Sequence, residues 1–220
     1  MQYKTIYLIR HGQTEYNRKG VVQGSGIDAP LNEVGHLQAE AFYNAYRDTP
    51  FAHVYTSTLQ RSVQSVAQFL KDGLPTTQLS GLNEINWGVK EGKVPSSEEH
   101  SYYRQIMEGW QAGKLDVAIE GGESPLMVQE RQKPALEHIL TQKDEDTILV
   151  CMHGRAMRIF LCLLLERDLR TMDQFAHTNL CLYLLRYHYD DQRFELIKEN
   201  EQSHLPELPP LVREDKTDIK

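Results

Sequence analysis

Two segments far apart in the chain have the same form: an apolar run, then histidine, then glycine. The first is "TIYLIRHG", ending at His11 and Gly12, and the second is "DTILVCMHG", ending at His153 and Gly154. Each run is short, rich in Ile, Leu and Val, and lacks the alternation of a half-exposed strand. That pattern predicts strands buried on both faces. Strands of this kind belong to parallel sheets covered by helices on both sides.

The intervening sequence supplies the helices. Asn32 reads as an N-cap for a helix from Glu33 to about Arg47, with Leu37, Ala41 and Ala45 on its apolar face. "FAHVYTS" is a further strand. "TLQRSVQSVAQFLKDG" reads as one helix stopped by Gly73, and Ser97 to Ala112 as another. Ser124 caps a helix toward Thr141 that contains Pro134, a residue that bends helix interiors. An apolar helix follows Gly154, and "NLCLYLLRYH" and "RFELIKEN" flank "YDDQ" as a hairpin. The expected fold is a three-layer α/β/α sandwich with a mostly parallel central sheet. It forms one domain over residues 1–200, followed by a polar, Pro-rich tail over 201–220.

Composition narrows the function. The net charge is −7, with 24 Lys and Arg against 31 Asp and Glu, so neither nucleic acid nor an anionic membrane is expected as a partner. No apolar run approaches the roughly 20 residues that span a bilayer. Cys151, Cys162 and Cys181 form no paired motif and read as buried thiols of a reducing cytoplasm. No metal site or cofactor is expected, since the histidines lack ligand-type spacing. Oligomeric state stays open, a homodimer included.

In open α/β sheets ligands bind beyond the carboxyl ends of the strands, where both histidines are delivered. Arg10 beside His11 repels it if both are charged, unless an anion compensates. A guanidinium fork suits phosphate oxygens. Arg61 is placed to reach the same edge, and Thr14 and Asn17 offer further hydrogen bonds. Any single histidine after a strand is more often structural than catalytic; the repeated arrangement, once with arginine, favours function.

"LIRHGQTEYN" resembles the RHGxTxxN signature of the histidine phosphatase superfamily, whose members include cofactor-dependent phosphoglycerate mutases and many phosphatases. "VVQGSGIDAPLNEVGHLQA", "VYTSTLQRSVQSV", "LNEINWGVKEG", "GGES" and "LVCMHGRAMRIF" resemble further blocks of that family, in its order. The resemblance implies that a small phosphorylated metabolite is hydrolysed without metal. His11 would be the nucleophile, with Arg10, Arg61 and His153 around the phosphoryl oxygens and Glu84 as acid and then base. Thr14, Asn17, Gln23, Gly24 and Gly154 would line the substrate approach. Segment 93–120 lacks the longer basic insertion of the mutases, which favours phosphatase over mutase. A non-catalytic phosphate-binding module is the remaining alternative, although binding alone needs neither His11 nor Glu84. Arg155 departs from the family pattern, and either adds charge to the pocket or turns away into a salt bridge.

Overall fold

The computed structural model describes residues 2–94 and 96–205. A six-stranded sheet in the order β3-β2-β4-β1-β5-β6 forms its middle layer. Strands β1 (Tyr3–Arg10), β2 (His53–Thr56), β3 (Thr76–Gln78) and β4 (Thr147–Met152) run parallel. Strands β5 (Leu182–His188) and β6 (Arg193–Glu201) add an antiparallel hairpin beside β1.

Period-two alternation sends the central strands' side chains into two cores. Ile6, Leu8, Ile148, Val150 and Met152 pack under α6 (Pro125–Thr141) and α7 (Gly154–Leu164). Ile9, Val54, Leu149 and Cys151 face the other way, toward α2 (Glu33–Tyr46), α3 (Gln60–Ser65) and α4 (Ala67–Lys71). The sandwich expected from the sequence is therefore the fold observed. Helix α6 passes through Pro134, and α1 (Glu15–Lys19) and α5 (Ser97–Gln111) complete the α-helices among the described residues.

Two local expectations need correction. The buried face of α2 is Gly35, Gln38, Ala39 and Phe42, and Leu37 is 49% exposed. The loop after β1 presses so closely on this helix that a Cβ at Gly35 would stand 2.1 Å from the Gln13 carbonyl oxygen. Gln38 is buried because its Oε1 accepts the Gln13 N–H at 2.9 Å. The helix expected after Thr58 is two short ones, α3 and α4, broken at Val66, whose ψ of 10° leaves helical geometry.

Parallel register fixes the site. Arg10 lies opposite Met152, and Thr56 opposite Cys151. The ladder continues one step further, with the His11 N–H donating to Met152 O at 2.9 Å and the Ser57 N–H to Cys151 O at 3.2 Å. His11, Ser57 and His153 thus emerge side by side at one sheet edge. At the end of the described chain, His204 bonds the Leu180 carbonyl and Leu205 packs on the second core. The rest of the expected tail, 206–220, lies outside the described residues.

Candidate active site

Where β1 ends, the His11 side chain turns back on its own loop, and Nδ1 donates to the Gly12 carbonyl at 2.6 Å. That bond places the ring proton on Nδ1 and leaves the lone pair on Nε2. Burial, reinforced by the charges of Arg61 and Arg10, holds His11 well below the ordinary histidine value of 6.5. The imidazole is neutral and nucleophilic at neutral pH. Gly12 is required sterically: a Cβ there would meet the Gly35 carbonyl oxygen at 2.7 Å.

His153 caps the start of α7 with extended backbone, and its ring lies 5.1 Å from that of His11. Arg61, fully buried on α3, donates Nε–H to His153 Nδ1 at 3.2 Å. An arginine only donates, so the His153 proton is on Nε2, which donates to Ser57 Oγ at 2.7 Å. Both ring nitrogens therefore have protein partners, and burial together with Arg61 keeps this ring neutral as well. Arg61 also donates to the carbonyls of Ile27 at 2.7 Å and Gly24 at 3.1 Å, pinning the loop after α1. Burial pushes its pKa down to about 10, leaving it charged at neutral pH.

Two buried donors at this edge have no partner among the described residues, Arg10 Nε and Gln23 Nε2. Unpaired buried N–H groups cost free energy unless a ligand accepts from them, and beside two guanidinium groups that acceptor is an anion. Thr14 is different from the expectation. Fully buried, it forms a capping box with Asn17 at the start of α1 and gives its hydroxyl proton to Gln23 Oε1 at 2.7 Å. It shapes the loop and has no proton left for a substrate. Gly24 lies so close to Glu91 and the Ile85 carbonyl that a Cβ would be 2.6 Å from that carbonyl oxygen.

Glu84 is held in the first turn of α7. Its Oε1 accepts from Ala156 N at 2.8 Å and Ile85 N at 2.9 Å, and Oε2 from Arg155 N at 3.1 Å. The Arg155 and Ala156 groups are free N–H donors of the α7 N-terminus, which a carboxyl group satisfies, and the Ile85 N–H belongs to the loop of Glu84 itself. Its loop is set by Arg131 of α6, which donates to the carbonyls of Gly81, Asn83 and Glu84 and pairs with Glu123.

The structure brings Arg10, His11, Arg61, Glu84, His153 and Gly154 to one edge, with Asn17 on α1 and Gln23 and Gly24 on the loop that follows it. Arg155 turns away: Nη1 pairs with Asp173 at 2.6 Å, and the guanidinium lies 5.6 Å from the Trp110 ring centre. Trp110 is core, stacked on Trp87. Sequence reasoning missed Asn179, which bridges His11 O at 3.0 Å and Asn17 Oδ1 at 3.2 Å. It also missed Ser57, Arg131 and His177. Only Ser57 had a signal, since it follows a strand as the histidines do.

Comparison with known proteins agrees with this geometry. The family model "Histidine phosphatase superfamily (branch 1)" matches residues 6–200. A Danio rerio protein named fructose-2,6-bisphosphatase TIGAR B is 32% identical over 157 residues, 69% of this chain and 57% of its own length. The chain thus spans little more than half of that relative. A probable phosphoglycerate mutase GpmB of Yersinia enterocolitica is 32% identical over 176 residues, 75% of this chain and 79% of its own. Among solved structures, YhfR of Bacillus stearothermophilus superposes with a TM-score of 0.78 at 27% identity, covering 91% of this chain and 98% of that one.

Proposed function

The chain belongs to the histidine phosphatase superfamily, and from that premise we propose that it hydrolyses phosphomonoesters of small metabolites through a phosphohistidine on His11. The observation that carries this reading is the His11 Nδ1–Gly12 carbonyl bond, which frees Nε2 as a nucleophile beside two guanidinium groups.

In the first half-reaction the Nε2 lone pair attacks phosphorus and the ester P–O bond breaks. The leaving oxygen takes a proton from Glu84, which enters this step in its protonated form, and the phosphoryl group stays on His11. The Gly12 carbonyl supports the imidazolium character that develops on phosphorylation. In the second half-reaction a water oxygen attacks phosphorus, its proton passes to Glu84, and the P–N bond breaks to release inorganic phosphate. Dividing one difficult transfer in two is the gain of covalent catalysis. Charge in such transition states spreads over the equatorial oxygens, where Arg10, Arg61 and Gln23 present N–H groups. His153, with both nitrogens engaged, acts by holding Arg61. Asn17 and Gly154 flank the approach, and no step calls for a metal.

The net charge of −7 disfavours polyanionic partners and favours a small substrate drawn in by local positive charge. The three cysteines are free and buried, which fits a reducing cytoplasm, and among the described residues no helix is long and apolar enough to cross a membrane. The name of the Yersinia relative supports a second reading, phosphoryl transfer between positions of a phosphoglycerate.

The test is hydrolysis of p-nitrophenyl phosphate with EDTA present, pH 5 to 8, comparing the protein with His11→Ala. Turnover that disappears in the variant is expected. Absence of turnover in the wild type, with isomerisation of phosphoglycerates instead, would replace phosphatase by mutase.

A further inference from the structure

The loop leading into β5 carries a histidine, His177, outside the sequence motifs. Its backbone carbonyl accepts from Arg10 Nη1 at 3.0 Å, and its Nδ1 faces the same nitrogen at 3.4 Å. Because the arginine nitrogen only donates, Nδ1 bears the lone pair and the ring proton is on Nε2. Burial, followed by the charges of Arg10 and Arg158, pushes this histidine down to about 3. The ring is therefore an uncharged donor throughout the neutral range. Its Nε2–H has no protein partner among the described residues.

Gly154 shows where that donor stands. A Cβ on Gly154 would lie 3.3 Å from Arg10 Nε and 3.4 Å from His177 Nε2. Two N–H groups from separate segments thus flank the same point, at the first residue of α7 beside His153. One of them, Arg10 Nε, is buried without a partner. Any side chain at position 154 would fill the space between them, and glycine leaves it for a ligand. Donors from two sides, one of them buried without a partner, suit an acceptor there. The positive charge of Arg10 and the nearby Arg61 favours an anionic one.

We propose that His177 is a further substrate-binding residue, whose Nε2–H joins Arg10 Nε–H in binding an oxygen of the phosphoryl group under transfer. This deepens the phosphatase reading and rests on it. His177 has two functions toward one ligand. Its carbonyl and Nδ1 orient Arg10 so that Nε stays free, and its own N–H adds a second donor. Being neutral, it strengthens the grip on phosphate without adding to the repulsion between Arg10 and Arg61.

The test measures binding of inorganic phosphate and competitive inhibition by orthovanadate. Both probes lack a leaving group and report on the phosphoryl contact alone. His177→Ala should weaken both about tenfold or more, as expected for a hydrogen bond to a charged group. His177→Gln, whose side-chain amide restores an N–H near the position of Nε2, should recover most of the affinity. Thermal unfolding of each variant verifies the fold. Wild-type binding that is unchanged in His177→Ala overturns the assignment of His177 and leaves the phosphatase reading standing. Equal losses in the Ala and Gln variants also overturn it, because a packing role behaves that way. A wild-type protein that neither binds phosphate nor turns over p-nitrophenyl phosphate overturns both.

Discussion

Arg61 Nε donates to His153 Nδ1 across 3.2 Å, and both side chains are fully buried. The bond fixes the His153 tautomer and the plane of the guanidinium together, so the two residues form one unit. Arg61→Ala should lower kcat by roughly 10²–10³, the usual loss when a donor to a developing oxyanion is removed. His153→Ala should lose a comparable amount by letting Arg61 swing. The double variant should lose little more than the worse single variant, since groups acting as a unit are not additive. Steady-state kinetics on the four proteins decides this; multiplicative losses would mean that each residue acts on the phosphate independently.

The site's chemistry was legible because its residues follow strands or open helices, where local pattern reports position. His11 and His153 are placed by the ends of β1 and β4, and Glu84 by the family-like loop. What supports them was not legible. Arg131 reaches the carbonyls of Gly81, Asn83 and Glu84, and no sequence period marks a side chain that bonds backbone fifty residues away. His177 and Asn179 sit in a loop whose position is set only when β5 pairs with β1. The α2 face was misread for the same reason. Close backbone approach selected Gly35 and a bonded Gln38, and a hydrophobicity pattern cannot see either.

Acid should destabilise the protein before it protonates the nucleophile. His11 and His153 lie well below 6.5 and His177 at about 3, in each case chiefly through burial. Their folded values are depressed, so the unfolded chain binds the extra protons. Stability is full above the unfolded-state value of 6.5 and falls as pH drops below it toward the folded values. His177, at about 3, by itself contributes a loss of about 2 kcal/mol between pH 7 and 5, and His11 and His153 act in the same direction. Urea unfolding at the two pH values measures it, and an unchanged midpoint would refute the depressed values. The same shifts predict that kcat/KM shows no acid limb near 6.5 from His11.

Gly12→Ala should damage fold and site together. The new Cβ would stand 2.7 Å from the Gly35 carbonyl oxygen and 3.1 Å from Leu180 Cδ2. Backbone at that distance yields only by moving α2 or the loop, a strain typically costing about 1–3 kcal/mol. The loop also carries the carbonyl that orients His11, so kcat should fall while the KM for p-nitrophenyl phosphate changes less. Unfolding curves and kinetics on one preparation give both numbers. A variant of wild-type stability and rate would show that the approach is looser than the structure has it.

The role proposed for Glu84 separates from its structural one through the leaving group. Its carboxylate accepts the N–H groups of Ile85, Arg155 and Ala156, so Glu84→Ala should both loosen the first turn of α7 and abolish proton donation. Glu84→Gln keeps the shape and the oxygen that accepts from Ile85 and Ala156, and removes the acid together with the acceptor of the Arg155 N–H. With p-nitrophenyl phosphate, whose leaving group departs as a stable anion, the glutamine variant should form the phosphoenzyme at nearly the wild-type rate. With an alkyl phosphate, whose oxygen must be protonated as it leaves, the same step should slow by roughly 10²–10⁴. Rapid-quench measurement of phosphohistidine formation isolates that step from the later hydrolysis, where the same residue serves as base. Equal slowing on both substrates would mean that Glu84 only braces the helix and that the proton comes from elsewhere.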